Sequence, residues 1–440
     1  MTHGVNYETM ERQEMTALQS KRLKKIVAYT YENVGYYRKK MDALGLKPTD
    51  IHGIEDISLL PFTTKKDLRE AYPFGALARD KSEIVRLHAS SGTTGKLTVA
   101  GYTQNDIDMW SECMARSLTM AGATKNSTIH IAYGYGLFTG GLGAHYGAER
   151  LGASVVPASA GNTVRQLSLL KDFGADILCC TPSYALFLAD EIDRLGMDIK
   201  DFNLKAGVFG AEPWTNEMRE EIEKRLNINA YDIYGLSEIC GPGVGMECCE
   251  KNGTHINEDY FLPEIIDSVT QEKVKDGTKG ELVFTTLTKE GMPLIRYRTR
   301  DITSLKYDKC SCGRTNVKID RILGRNDDMI IIRGANVFPS QIETAILNSS
   351  NLVEPYYKII VDRVNMIDTL EIQIEMSKSL SLQSKEVIEG VKNKLKTDII
   401  SAIGVKSTIT LLSPQTLDRS EGKAVRTYDK RKLASLGVAQ

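Results

Sequence analysis

Seven consecutive residues, Ser90-Ser-Gly-Thr-Thr-Gly-Lys96, gather four hydroxyls, two glycines and a lysine behind a run that reads as a strand, Ile84–His88. Glycines let successive backbone N–H groups turn toward one point. Such amides make an anion nest, and hydroxyls with a lysine complete a cradle for phosphate oxygens. An ordinary polar loop has the same composition, so from these residues alone both readings stand. A Walker A loop is excluded by spacing, since only two residues separate Gly92 from Gly95 and Leu97 follows the lysine. A second group of reactive residues is formed by cysteines. Of eight, Cys113, Cys179, Cys180 and Cys240 lie in apolar or helical surroundings that suit small buried thiols. The others form two tight pairs, Cys248-Cys249 and Cys310-Ser-Cys312. In a cytosolic chain such pairs point to metal before disulfide. Cys248, His255, Cys310 and Cys312 would close a tetrahedron of thiolate and imidazole ligands for Zn²⁺. Cys249 competes for the place of Cys248, and by spacing alone four free thiols and a surface histidine serve equally well.

The elements that must hold these groups show two rhythms. Residues 8–45 read as one helix, and Gln104–Gly122 as another with an apolar stripe suited to core packing. Between them Leu60-Pro-Phe-Thr-Thr-Lys-Lys-Asp-Leu68 offers a threonine cap for a further helix. From Ser127 to Val208 short apolar runs alternate with helical segments, the βαβ pattern of a mostly parallel sheet. Ligands of such sheets lie beyond the strands' carboxyl ends. There the sequence places Tyr133–Gly141, Thr181–Tyr184, Gly210–Trp214 and Tyr234–Glu238, loops rich in glycine and aromatics. Thr254–Leu305 reads as a β-rich subdomain. Residues beyond 324 read as a small α+β domain with helices on one face of an antiparallel sheet. The fold class predicted is therefore α/β, with mostly parallel sheets and a β-rich subdomain followed by a small α+β domain. A length of 440 residues accommodates this. A net charge of −1 argues against nucleic-acid binding, and no apolar run reaches the length of a membrane span. With a polar start unlike a signal peptide, a cytoplasmic enzyme is expected.

Taken in order, Ser90–Lys96, Tyr234-Gly-Leu-Ser-Glu238, Tyr297-Arg-Thr-Arg-Asp301, Gly324-Arg-Asn-Asp-Asp328 and Arg419-Ser-Glu-Gly-Lys423 resemble the core motifs of adenylate-forming acyl–coenzyme A synthetases. Leu60–Leu68, Tyr133–Gly141, Gly210-Ala-Glu-Pro213 and Arg333–Pro339 resemble, more narrowly, the phenylacetate–coenzyme A ligase family. The resemblance runs from about residue 20 to the C-terminus and implies a large N-terminal domain over residues 1–325 and a small mobile C-terminal domain over 326–440. It implies an AMP-forming ligase that converts an aryl acid, phenylacetate first, and ATP to an acyl-adenylate and passes the acyl group to coenzyme A. Another aryl or small carboxylic acid, or a carrier-protein thiol as acceptor, are the alternatives. A nucleotide sensor without turnover is disfavoured by the presence of both lysines and Glu238. By resemblance, Ser90, Ser91, Gly92, Thr93, Thr94, Gly95 and Lys96 hold the ATP phosphates and Glu238 holds Mg²⁺. Ala211, Glu212, Asp232, Ile233, Tyr234, Asp301 and Arg325 receive adenine and ribose. Lys423 is the catalytic cation, Asp327 the hinge, and Tyr135, Phe138, Gly141 and Trp214 the acyl pocket. The resemblance also favours a structural zinc at Cys248, His255, Cys310 and Cys312, and is compatible with a homodimer.

Overall fold

Arg12–Asn33 (α1) and Gly35–Ala43 (α2) replace the single helix expected over residues 8–45. The break falls at Val34, which is extended at φ −117° and ψ 100°. There its side chain packs with Leu23, Ile26, Tyr37 and Met41 in one buried cluster, so the kink lets both helices bury an apolar face. The computed structural model describes residues 7–90, 97–322, 324–325, 328–333, 335–364, 367–419 and 424–431. They divide into two units, the first formed by Met1–Cys180, Asp198–Ala211 and Ile228–Ile322, the second by Thr181–Met197, Glu212–Asn227 and Leu323–Gln440.

In the first unit, Lys65–Glu70 (α3) is capped by Thr64, as its sequence predicts. Arg86–Ser90 (β1) and Thr98–Tyr102 (β2) pair antiparallel with Ser90 opposite Thr98, so the two ends of the phosphate-type loop are fixed to each other. Gln104–Met120 (α4) follows, capped by Thr103 and Asp106. The chain then alternates through Thr128–Ile131 (β3), Gly140–Leu151 (α5), Ser154–Val156 (β4), Thr163–Asp172 (α6), Ile177–Cys180 (β5), Ala206–Gly210 (β6) and Asn229–Leu236 (β7). These strands lie parallel in the order β4-β3-β5-β6-β7. Every residue of β5 and β6 is buried, as expected of parallel strands covered on both faces. The sheet continues antiparallel through Gly241–Glu247 (β8) and Thr254–Ile256 (β9). Leu305–Lys306 (β13) and Lys318–Ile319 (β14) complete nine strands, with β14 against β9. Phe261–Ile266 (β10), Gly280–Thr286 (β11) and Tyr297–Thr303 (β12) form a separate antiparallel sheet. The segment Thr254–Leu305 is thus shared between two sheets. It is not one subdomain, because β9 pairs with β8 before the chain turns away.

The second unit contains Pro182–Leu195 (α7), Asn216–Leu226 (α8) and the C-terminal elements. There Ile330–Ile332 (β15) and Ala335–Val337 (β16) form a hairpin, and Pro339–Ser349 (α9) follows. Val353–Val364 (β17) and Ile367–Met376 (β18) form a long antiparallel pair. Lys378–Ser381 (α10), Lys385–Ile403 (α11), Thr408–Leu412 (β19) and Thr427–Asp429 (β20) complete the unit. The four-stranded sheet has the order β19-β18-β17-β20, and both outer strands pair parallel. It is mixed where the sequence predicts antiparallel. The α10–α11 crossover returns the chain to the same end of the sheet, and a return of that length produces a parallel neighbour.

Candidate active site

The loop Tyr234-Gly-Leu-Ser-Glu238 leaves the carboxyl end of β7 and doubles back into β8. A Cβ on Gly235 would collide with the Gly241 carbonyl, so the reversal requires glycine there. The β7–β8 register shifts between Tyr234 and Gly235, a bulge that re-aims the side chains around it. One result is that Glu238, 5% exposed, meets the mouth of the phosphate-type loop. The Ser90 hydroxyl donates to its Oε1 at 2.8 Å, and Lys65 Nζ lies 3.3 Å from the same oxygen. Carboxylate and hydroxyl oxygens are the hard donors that Mg²⁺ takes, so Glu238 beside Ser90 fits that ion. Lys65 has no role assigned from sequence, although it lies in the Leu60–Leu68 stretch that carries the resemblance and begins α3, which Thr64 caps. Ser91–Lys96 lie outside the described residues.

The bulge also turns Tyr234 toward β12. Its phenol donates to Asp301 Oδ2 at 2.5 Å, while its ring centroid stands 6.2 Å from that of Phe284. Asp301 is 8% exposed and follows Arg300, which is held at φ 72°. Ala211, at the end of β6, is likewise left-handed at φ 72°. Non-glycine residues persist in that region only when their surroundings hold them there, and such residues cluster at ligand sites. Asp232 donates its N–H to Glu247 Oε2 at 2.9 Å, and Ile233 packs into the core of the first unit. In the second unit, Glu212 accepts from the Ser183 N–H at 2.8 Å and, through its other oxygen, from the Ala424 N–H at 2.9 Å. Arg325 Nε lies 3.9 Å from Asp328 Oδ2. Asp327 and Lys423 lie outside the described residues.

Three of the residues expected at the acyl group lie in the loop before α5 or, for Gly141, in its first turn. The Tyr135 hydroxyl is 3.2 Å from His145 Nδ1, and His145 Nε2 is 3.1 Å from Glu149 Oε1. Burial pushes the Tyr135 phenol well above the ordinary tyrosine range. Phe138 is exposed. A Cβ on Gly141 would lie 2.8 Å from the Gly134 oxygen, so the turn itself demands that glycine. Trp214, in the second unit, is buried with the Arg219 guanidinium 5.2 Å above its ring.

Cys248, His255, Cys310 and Cys312 come together, their ligand atoms all within 4.8 Å of one another. Cys248 Sγ is 3.7 Å from Cys310 Sγ, and Cys312 Sγ is 3.6 Å from His255 Nε2. A tetrahedral ion with ordinary Zn–S and Zn–N bonds sets those edges at about 3.8 and about 3.6 Å. Burial first, then Arg314 and Lys318, push His255 down to about 4, which keeps the imidazole neutral as a ligand must be. Burial opposes a Cys312 thiolate, but Arg314 and the two neighbouring thiols carry Cys312 below the ordinary thiol range. Cys249 is exposed beside Glu250.

With this geometry in hand, comparison with known proteins is specific. The AMP-binding enzyme family matches residues 44–287, and the AMP-binding enzyme C-terminal domain matches residues 334–431. A phenylacetate-coenzyme A ligase of Escherichia coli (strain K12) is 50% identical over 428 residues, 97% of each chain. One from Thermus thermophilus is 48% identical over 446 residues, 98% of this chain and 100% of that one. Among solved structures, 2-hydroxyisobutyryl-CoA ligase with 2-HIB-AMP in the postadenylation state has a TM-score of 0.92 at 28% identity, covering 98% of this chain and 92% of that one. The same ligase with 2-HIB-AMP and CoA in the thioesterification state has a TM-score of 0.72 at 28% identity, covering 98% and 93%. No helix among the described residues is long and apolar enough to cross a membrane.

Proposed function

The chain belongs to the phenylacetate–coenzyme A ligases of the AMP-binding enzyme family, and we propose that it joins phenylacetate to coenzyme A through a phenylacetyl-adenylate. The observation that carries this reading is the buried Glu238 carboxylate, set against Ser90 and Lys65 at the entrance of the phosphate-type loop. A carboxylate is a poor electrophile because its charge repels nucleophiles. Its oxygen attacks the α-phosphorus of ATP, the bond to the bridging oxygen of the β-phosphate breaks, and pyrophosphate leaves. The coenzyme A sulfur then bonds to the acyl carbon, AMP departs, and the thiol proton goes to solvent. The first step crowds carboxylate and triphosphate anions together, so fixed cations and donors lower its barrier most.

Ser90–Lys96 with Lys65 hold the β- and γ-phosphates in this reading, and Glu238 holds Mg²⁺, which when bound neutralises phosphate charge. Tyr234 lies against adenine while its hydroxyl orients Asp301 to accept both ribose hydroxyls; Ala211, Glu212, Asp232, Ile233 and Arg325 complete the nucleoside site. Tyr135, Phe138, Gly141 and Trp214 receive the aryl ring. Lys423 bridges carboxylate and α-phosphate from a domain of residues 326–440 that moves about Asp327. The separate family matches for residues 44–287 and 334–431 support a boundary between them. The Cys248, His255, Cys310 and Cys312 cluster holds a structural Zn²⁺, as its tetrahedral edge lengths support.

The test is a panel of aryl and small aliphatic acids with ATP, Mg²⁺ and coenzyme A, monitoring AMP and free thioester. Phenylacetate should give the highest kcat/KM, with AMP and thioester in equal amounts. A preferred aliphatic acid would overturn the substrate, and AMP without free thioester would overturn the acceptor.

A further inference from the structure

Lys289 is fully buried, at 0% exposure, and takes no part in the chemistry above. Its ammonium donates to the carbonyl of Glu238 at 3.1 Å and to that of Ile239 at 2.6 Å. It also stands 4.5 Å from the ring centroid of Tyr102. The Tyr102 hydroxyl donates in turn to the carbonyls of Ser237 at 3.0 Å and Cys240 at 3.3 Å. Two side chains therefore engage the four successive carbonyls of Ser237, Glu238, Ile239 and Cys240. These belong to the turn that presents the Glu238 carboxylate.

An ammonium stripped of water is costly to bury, and the pairing it receives must offset that cost. Burial pulls Lys289 below the ordinary lysine range, while Asp106, Cys240 and Glu238 act in the opposite direction. Its backbone is anchored as well. Asp106, at the start of α4, accepts from the N–H groups of Glu290 at 2.7 Å and Gly291 at 2.8 Å. The support runs unbroken from α4 through Asp106 to residues 289–291, and from Lys289 to the turn. A side chain without donors at 289 would leave the Glu238 and Ile239 carbonyls without these bonds, and a turn whose buried carbonyls lack donors shifts to find them.

We infer that Lys289 is a positioning residue for the divalent cation of the nucleotide: with Tyr102 it fixes the turn that sets where the Glu238 carboxylate stands. This rests on the reading of Glu238 as the magnesium ligand. Lys289 does not touch ATP in this account; it acts through the Glu238 backbone.

The probe is Mn²⁺ in place of Mg²⁺. Free Mn²⁺ is titrated by electron paramagnetic resonance against full-length protein with a non-hydrolysable ATP analogue, and KM for MgATP and kcat are measured alongside. Lys289→Met should weaken Mn²⁺ binding in the nucleotide complex about tenfold or more and raise KM for MgATP. Tyr102→Phe, which removes one hydroxyl and leaves the ammonium, should shift both the same way by less. It also carries the test should Lys289→Met not fold. A purely structural lysine would lower the melting temperature and leave Mn²⁺ affinity unmoved, and that result in either folded variant overturns the inference. Glu238→Gln separates the two levels. If it loses Mn²⁺ affinity while Lys289→Met keeps it, only the positioning role falls. If Glu238→Gln binds Mn²⁺ as the unaltered protein does, the assignment of Glu238 falls and the inference with it.

Discussion

Tyr234→Phe removes a single oxygen, and the consequence can be worked out from its surroundings. That hydroxyl donates to Asp301 Oδ2 at 2.5 Å, a short bond to a carboxylate oxygen at a residue 8% exposed. Hydrogen bonds to charged groups contribute about 1.5–3 kcal/mol. If the bond holds Asp301 in place for the ribose hydroxyls, its loss should raise KM for ATP by about 10- to 150-fold, at about 1.4 kcal/mol per decade. The phenyl ring remains beside Phe284, so the proposed stacking on adenine should be retained and kcat should change less than KM. The assay is phenylacetate-dependent exchange of labelled pyrophosphate into ATP, which isolates adenylation from thioester formation. Melting curves recorded in parallel separate any cost to folding from the cost to binding. Asp301→Asn and the double variant complete a cycle. Two residues acting as one device should show a coupling of about 0.5–3 kcal/mol, so the second substitution adds little to the first. A KM within about twofold of the unaltered value, or strictly additive effects, would refute the claim that Tyr234 orients the ribose acceptor.

Three further outcomes are expected. Lys423→Ala should abolish pyrophosphate exchange yet still form thioester from supplied phenylacetyl-adenylate. Undiminished exchange would remove Lys423 from the first step. Asp327→Pro fixes φ at the proposed hinge and should leave exchange intact while thioester synthesis falls by orders of magnitude; equal loss of both would argue against a hinge there. Elemental analysis of protein purified without added metal should find one zinc per chain, consistent with the tetrahedral edges at Cys248–Cys310 and Cys312–His255. Replacing Cys310 and Cys312 by serine should lower the melting temperature and leave KM for ATP unchanged, whereas unaltered melting would dismiss the ion.

Parallel strands were legible because full burial leaves apolar runs with no alternation; Ile177–Cys180 is buried at every position. The Tyr234–Glu238 loop stood out as a glycine-bearing, aromatic loop beyond a parallel strand, whereas the role expected of Glu238 came only from the resemblance. What chain order cannot convey is register. Cys248 and Cys249 look interchangeable in sequence, yet β8 ends at Glu247 and the chain already turns at Cys249. Cys248 follows the last residue of β8, and the pairing of Met246 with His255 sets which face meets the imidazole. Cys310 and Cys312 arrive through a second register, Lys318 against His255. Two pairings between distant segments therefore make the cluster, and neither is written in cysteine spacing.

Lys289 shows the same limit from the side of energetics. In sequence, Thr288-Lys-Glu-Gly-Met292 has the composition of a solvated loop, where a lysine needs no explanation. Charge becomes informative only with burial, and burial here is produced by elements far away: Tyr102 on β2 and Asp106 on α4. Once they surround it, the ammonium is held by the carbonyls of Glu238 and Ile239, flanked by the two that the Tyr102 hydroxyl engages. Lys65, beside Glu238, is partly exposed and approaches the carboxylate from α3. One lysine thus meets the Glu238 side chain and another its backbone. The two should respond differently to substitution, Lys65 through phosphate charge and Lys289 through the placement of the carboxylate. Losing a cation that touches phosphate weakens nucleotide binding whether or not a divalent ion is present. Losing the support beneath Glu238 weakens it only where that ion contributes. Nucleotide affinity measured with and without Mn²⁺ therefore distinguishes the two lysines, although both sit within reach of the same glutamate.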